Sequence, residues 1–182
     1  GQQAPFAYQL GSLILSRDRE HNPFSAPLLF TICMDIHRFE LIMAQRGWEI
    51  AANDLSLLVL GIQDATLMAE NMVIAAESLG LGSCFLGAWP YMAKKLRRQY
   101  KIPERVFPVV GLTMGYPAED PPIRPRYPVN YHLFEEAYPE FNDQTIQQAM
   151  QVMDDGYLAQ DYYRKANYMI PLGDQREETY SF

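Results

Sequence analysis

"IQDATLMAENMVIAAESLGLGSCFLGA" (residues 62–88) joins a long helical pattern to a short apolar strand pattern through glycines. Apolar residues recur at helical spacing, at Ile62, Ala65, Leu67, Met68, Met72, Ala75, Ala76 and Leu79. Glycine commonly ends a helix, so we predict a helix over 60–79 that stops at Gly80. "SCFLGA" (83–88) is then interpreted as a strand. The order of helix, glycine turn and strand decides the fold of this region.

The glycines at 80, 82 and 87 loosely match a dinucleotide-binding fingerprint. Such a site needs a strand, then the glycine turn, then a helix whose N-terminus faces the pyrophosphate. Here the helix comes first, and the glycines follow its negative C-terminal end. The sequence therefore argues against a dinucleotide fingerprint at this position.

Gly87 closes the predicted strand and has two interpretations. It serves either the geometry of a turn or the close approach of a ligand to the backbone. A flat heterocycle would suit the second, because it needs in-plane main-chain hydrogen bonds and an apolar face. Likewise, the alanines of the helix permit close packing or a flat ligand. The local pattern leaves both pairs of alternatives open.

The rest of the chain alternates irregularly between strand and helix patterns, without an internal repeat. Strands are predicted at 10–17 and 26–35 and within 102–117, and helices at 36–48, 90–100 and about 143–163. This irregular order favours an α+β or mixed α/β fold over a strictly doubly wound one.

The bulk composition is that of an ordinary globular protein of 182 residues with a formal net charge of −7. An acidic surface argues against nucleic-acid binding. The basic run "KKLRRQYK" (94–101) is interpreted as a solvated helix face in preference to a nucleic-acid site. We find no membrane-spanning pattern and no signal peptide.

Cysteine and histidine usage gives no metal or hydrolase pattern. Cys33 and Cys84 both lie in apolar runs, which predicts two free, buried thiols and a reducing, cytoplasmic location. No metal-ligand spacing is present, and the three histidines have no evident nucleophile partner. Neither G-x-S-x-G nor H-E-x-x-H occurs. Chemistry supplied by a bound cofactor fits better than a side-chain acid–base hydrolase.

Arg124 and Arg126 lie in a proline-rich segment. Its prolines are Pro121, Pro122, Pro125 and Pro128. Proline stiffens the segment, so the arginines lose less entropy when they bind a ligand, and a guanidinium matches phosphate oxygens. A bound monophosphate and a stiff loop with solvated arginines are both consistent with the pattern.

Three stretches together resemble the flavin-dependent nitroreductase superfamily. They are residues 62–88, "VFPVVGLTMGYPAEDPPIRPRYP" (106–128) and "QREETY" (175–180). The closest group is the oxygen-insensitive NADPH nitroreductase and flavin reductase branch, and the resemblance covers roughly residues 26–180.

The resemblance implies an α+β fold with a mixed central sheet flanked by helices, bound FMN, and a homodimer with the long helix at its interface. It also implies an FMN-binding core over 1–134 and an extension over 135–182 that wraps the partner subunit. No catalytic side chain and no metal are expected. Hydride would pass from NAD(P)H through flavin N5 to a nitroaromatic, quinone or flavin acceptor by a ping-pong mechanism.

The same resemblance assigns roles to individual residues. Leu86 and Gly87 would flank the isoalloxazine, with a main-chain N–H directed at flavin N5. Arg126 would bind the FMN phosphate, with Arg124 beside it. Gln2 or Gln3 would face the pyrimidine ring, and Arg176 would contact the phosphate of the dinucleotide.

Some features depart from the family pattern. The N-terminal Arg/Ser motif of the family is not present, so we expect a chain truncated at its N-terminus and shortened at its C-terminus. Glu177 follows Arg176 where a second basic residue is expected, which leaves NADH and NADPH both open. Two alternatives remain, namely a related flavoenzyme for dehalogenation or flavin breakdown, and a non-catalytic dimeric fragment without flavin.

Overall fold

The computed structural model describes residues 9–161, 170–172 and 176–178. The chain divides into two compact units, residues 1–118 and 119–182. The expected start of a partner-wrapping extension at residue 135 stays a prediction.

The first unit contains four strands and three helices among its described residues. The strands are β1 (Gly11–Ser16), β2 (Leu28–Asp35), β3 (Gly82–Leu86) and β4 (Val106–Gly115). The helices are α1 (Ile36–Arg46), α2 (Asp54–Ser78) and α3 (Ala93–Gln99), and a 3-10 turn, Pro90–Met92, precedes α3. Every predicted strand and helix of this unit is present, and the α+β class is confirmed.

The sheet has the order β1-β2-β4-β3, and each neighbouring pair is antiparallel. The expectation of a mixed sheet is therefore wrong for the described strands. Strands β2 and β3 do run in the same direction, because each is antiparallel to β4. Since β4 lies between them, no two neighbours are parallel.

Both ends of α2 follow from local chemistry. The Asn53 side chain accepts a hydrogen bond from the Ser56 N–H and caps the first turn, so the helix starts before the predicted residue 60. At the other end Gly80 adopts φ 73°, and the Gly80 and Leu81 amides donate to the carbonyls of Glu77 and Ala76. This is a Schellman motif, which confirms Gly80 as the stop.

One face of α2 is lined by small buried residues that pack on the sheet. Gly61, Ala65, Ala69 and Ala76 are buried on this face. The three alanines contact the side of the sheet that presents Ile32, Leu112 and Met114. The small residues therefore allow close packing against the chain's own sheet, which decides one alternative that the sequence left open. Ala75, by contrast, is exposed.

The opposite side of the sheet is covered by the segment that follows β3. The buried centre of this side consists of Leu29 of β2 together with Trp89 and Leu96, and Phe24 and Met92 pack around them. Leu96 belongs to α3, so α3 and α2 contact opposite faces of one sheet. The segment 87–99 thus forms a layer of its own.

The second unit contains a helix, an aromatic cluster and a short strand pair. Helix α4 (Asp143–Ala159) begins where Asn142 accepts a hydrogen bond from the Thr145 N–H. The rings of Tyr127, Tyr131, Phe134, Tyr138 and Phe141 contact one another. Strands β5 (Ile170–Leu172) and β6 (Arg176–Glu178) pair antiparallel. Residues 119–128 form no regular element, as their prolines predict.

The two cysteines have different environments. Cys33 is fully buried in β2, whereas Cys84 is exposed. The expectation of two buried thiols is therefore wrong for Cys84, because β3 is an edge strand of the sheet. Burial raises the pKa of Cys33 to about 12, so this thiol stays protonated at neutral pH.

We expect Cys33 to be unreactive toward thiol reagents in the native protein. In a Cys84→Ser variant, Cys33 is the one remaining cysteine of the chain, so native protein at pH 8 should incorporate no label and unfolded protein one label. Mass spectrometry before and after denaturation measures this. Rapid labelling of native Cys84→Ser protein would contradict the buried position of Cys33.

Candidate functional site

The turn that follows β3 leaves open space beside Gly87. Gly87 is exposed, and a Cβ atom placed on it would meet no atom within 4 Å. Its φ lies outside the positive range that Gly47 and Gly80 adopt. Neither backbone conformation nor a neighbouring atom of the described chain therefore requires glycine here. The open side of Gly87 leaves room for another group to approach its backbone.

Trp89 anchors this turn to the sheet. Its ring lies against Gly111 of β4, where an added Cβ would be 2.6 Å from the indole Cε2. Its Nε1–H donates to Thr31 Oγ1 at 3.0 Å, and both residues are buried. Sequence reasoning missed Trp89. The available signal was the glycine inside strand β4, which marks close approach by another group.

The chain then closes into the 3-10 turn. The Met92 amide donates to the carbonyls of Ala88, at 3.3 Å, and Trp89, at 3.0 Å. The half-buried Leu86 belongs to the same apolar cluster as Trp89. Leu86 and Gly87, both predicted site residues, are thus consecutive at the boundary between a strand end and an exposed turn.

In the second unit, the Arg-Pro-Arg segment is held by α4 and by Gln160, the residue that follows the helix. Arg124 Nη1 donates to Gln160 Oε1 at 2.9 Å, and Gln160 Nε2 donates to the Ile123 carbonyl at 2.7 Å. Pro125 packs on Gly156, where an added Cβ would be 2.6 Å from the proline Cγ. Gly156 and Gln160 therefore support this segment, although neither residue stands out in the sequence.

Arg124 and Arg126 have different surroundings. Arg124 is half-buried, whereas Arg126 is exposed. The guanidinium of Arg126 donates to the Pro125 carbonyl at 3.0 Å, within its own segment. A guanidinium has five N–H donors, so this contact leaves donors for a phosphate.

The structure describes the other predicted site residues in less detail. Arg176 begins strand β6, where its backbone pairs with Leu172. Gln2 and Gln3 lie outside the described residues. Leu86 and Gly87 belong to the first unit and Arg124 and Arg126 to the second, so each pair is described within its own unit.

Two charged clusters lie elsewhere in the first unit. The basic residues Lys94, Lys95, Arg97, Arg98 and Lys101 are exposed, which confirms the predicted solvated face. In the β1–β2 connection, ligand atoms of Asp18, Glu20 and His21 lie within 4.8 Å of one another. The hydrogen bond between His21 and Asp18 lowers the pKa of Asp18 and raises that of His21.

The protein is thus of the α+β class, with an open glycine turn after an edge strand in its first unit and an arginine segment that contacts α4 in its second. The chain belongs to the nitroreductase family. The family model, described as "Nitroreductase family", matches residues 3–116.

Several proteins of known activity are similar to the chain. A Cr(VI) reductase of Pseudomonas sp. (strain G-1) is 34% identical over 123 residues, which are 63% of this chain and 51% of the relative. An FMN reductase (NADPH) of Bacillus subtilis (strain 168) is 31% identical over 84% of this chain and 59% of its own length. The chain thus spans between half and three-fifths of the length of these relatives.

Solved structures agree with this assignment. The NfrA1 nitroreductase of B. subtilis has a TM-score of 0.75 and 29% identity over 96% of this chain and 73% of its own. An NADPH:FMN oxidoreductase from Vibrio harveyi, solved in complex with NAD+, has a TM-score of 0.73 and 26% identity over 88% of this chain and 74% of its own.

Proposed function

We propose that the chain binds FMN and acts as an NAD(P)H-dependent oxidoreductase of the nitroreductase type. Family membership and the names of the similar proteins support the proposal. The structural observation behind it is the open turn at Gly87, where nothing in the described protein requires glycine. A planar ring fits beside such a turn, because the backbone there lacks a side chain that would hold the ring away.

Each predicted residue has a defined task in this proposal. Leu86 supplies an apolar edge for the isoalloxazine, and the Gly87 N–H donates toward flavin N5. Arg126 binds the phosphate through its guanidinium, and Arg124 lies one proline away. Gln2 or Gln3 contacts the pyrimidine ring, and Arg176 contacts the phosphate of the dinucleotide. Whether NADH or NADPH is preferred depends on that last contact.

The chemistry itself belongs to the cofactor. Bound FMN would supply the redox chemistry for transfer of hydride from NAD(P)H to a second substrate, here proposed to be a nitroaromatic, a quinone or a free flavin. The protein's task is to orient the ring, to supply one main-chain donor and to admit the two substrates in turn. No side-chain acid or base is needed for the hydride step, which agrees with the lack of a hydrolase motif.

A homodimer is part of the proposal, because α2 presents a wide apolar surface away from the sheet. Leu60, Leu67 and Ile74 are 51%, 66% and 58% exposed and recur every seven residues, which places them on one face. An exposed apolar surface of this kind marks an interaction site. We propose that a second copy covers it, in a cytoplasmic protein.

By length and composition alone, α2 is also apolar enough to cross a membrane, contrary to the sequence expectation. Central helices of globular proteins meet the same criterion. Two contacts favour the second copy over a bilayer. The inner face of α2 packs on the sheet, and Asp64 in mid-helix accepts hydrogen bonds from the Leu10 and Gly11 amides.

Purification with excess FMN tests the proposal directly. We expect a yellow protein that retains about one flavin per chain, a light-scattering mass of two chains, and loss of the visible flavin band when NAD(P)H is added without oxygen. Reoxidation by a nitrofuran or a quinone would show the second half-reaction. A folded dimer that binds no FMN would instead support the non-catalytic fragment.

Replacing Gly87 with alanine should weaken FMN binding by about tenfold or more without destabilising the fold. The methyl group meets no atom of the described chain, and a compatible Gly→Ala change stabilises a protein by about 0.4–1 kcal/mol. The same methyl would separate the backbone from the ring. Flavin fluorescence titration and thermal unfolding measure the two effects.

Gly82→Ala is the matched control for this change. Gly82 begins β3, the strand that ends next to Gly87, and its added Cβ would make ordinary contacts, the nearest at 3.5 Å. We expect it to leave FMN affinity unchanged. Wild-type affinity in Gly87→Ala would contradict the proposed position of the flavin.

Arg126→Ala should weaken FMN binding by about 10- to 100-fold and leave riboflavin binding unchanged. A hydrogen bond to a charged group contributes about 1.5–3 kcal/mol, and riboflavin lacks the phosphate. Calorimetric titration of both flavins separates the contributions. Arg98→Ala, an exposed arginine of α3, is the charge-matched control. An equal loss for FMN and riboflavin would argue against a phosphate contact.

A further inference from the structure

We infer that Trp89 is a positioning residue, whose indole fixes the Gly87–Ala88 turn and so sets the direction of the Gly87 amide toward the flavin. The inference rests on the proposed function, because it requires FMN beside this turn. It goes further by naming the side chain that holds the turn in place.

The first support is the cross-strand row that Trp89 covers. Leu86 of β3 pairs with Gly111 of β4, and Gly111 pairs with Thr31 of β2. These three residues therefore form one row across the sheet. The indole ring lies against the middle residue and donates a hydrogen bond to the third. Trp89 thus packs on the same row to which Leu86, the last residue of β3, belongs.

The second support is the length of the connection. Only Gly87 and Ala88 separate Leu86, fixed by pairing in β3, from Trp89, fixed on the row. Two residues between two fixed points have few sterically allowed conformations. Anchoring Trp89 therefore restricts the orientation of the Gly87 peptide, even though nothing contacts the Cβ position of Gly87 directly.

The third support is that the anchor is directional. Packing alone would permit the ring to slide over Gly111, whereas the bond from Nε1 to Thr31 Oγ1 also fixes its rotation. The indole N–H is a donor only, and in this buried site it would otherwise lack a partner. The Phe24 ring, with its centroid 6.3 Å away, packs near the indole.

A purely structural role for Trp89 predicts a different result from a positioning role. If Trp89 served only the core, its replacement would lower stability. The FMN affinity and the visible spectrum of the flavin would then be unchanged in every variant that folds. A positioning residue also affects the Gly87 amide, the FMN affinity and the visible spectrum of the flavin. These readouts separate the two roles.

The test uses two conservative variants and a control. Trp89→Phe keeps a ring on Gly111 and removes the donor, whereas Thr31→Val keeps the shape of residue 31 and removes the acceptor. Leu96→Val removes a methylene from the same buried cluster without touching the hydrogen bond. Each variant, and the Trp89→Phe/Thr31→Val double variant, is measured by FMN titration, thermal unfolding and the amide resonance of Gly87.

We expect Trp89→Phe and Thr31→Val each to weaken FMN binding by about three- to tenfold and to shift the Gly87 resonance. The double variant should lose no more affinity for FMN than the single variant with the larger loss, because both substitutions break the same hydrogen bond. Leu96→Val should melt at a lower temperature and bind FMN like the wild type.

Wild-type FMN affinity and an unchanged Gly87 resonance in both single variants would overturn the inference, as would losses of affinity that add in the double variant. If the wild-type protein itself binds no FMN, the proposed function fails. If the wild type binds FMN and the variants match it, the role of Trp89 alone fails.

Discussion

Strand β4 is paired on both edges, with β2 and β3, and is covered on both faces. Leu112 and Met114 face the small residues of α2, and Gly111 faces the indole of Trp89. The residues of such a strand must pack against one layer on each face of the sheet. On one side the small helix residues allow close approach, and on the other the missing side chain of Gly111 leaves room for a ring.

The candidate site follows from that second contact. Because the layer over Gly111 is built from the residues directly after β3, the chain must reverse within two residues of Leu86. The reversal leaves Gly87 at an exposed turn with open space beside it. In the second unit, the Pro125–Gly156 contact and the Gln160 hydrogen bonds hold the arginine segment in a comparable way. We propose that the first feature contacts the ring of FMN and the second its phosphate.

Local patterns in the sequence predict most of this fold. The helical spacing of 60–79, the glycine stop and the apolar strands are all confirmed, because each depends on neighbouring residues. The start of α2 was placed too late, since its first turn is set by the Asn53 cap and not by apolar periodicity. The strand order could not be predicted, because the position of β4 between β2 and β3 depends on contacts distant in sequence.

In the candidate site, too, some residues are recognisable from their sequence neighbours, whereas others depend on partners distant in sequence. Gly87 and the two arginines stand out in the sequence through their glycine and proline neighbours. Trp89, Gly156 and Gln160 do not, because their roles arise from partners 58, 31 and 36 residues away, at Thr31, Pro125 and Arg124. The exposure of Cys84 was likewise set by the place of β3 at the sheet edge.

A crystal structure of the chain reconstituted with FMN would show whether the flavin lies at the proposed site. We expect the isoalloxazine to lie against the Leu86–Gly87 turn, with the Gly87 nitrogen about 3 Å from flavin N5, and the Arg126 guanidinium to contact the phosphate. A flavin bound at another surface, or a Gly87 N–H directed away from the ring, would contradict this expectation.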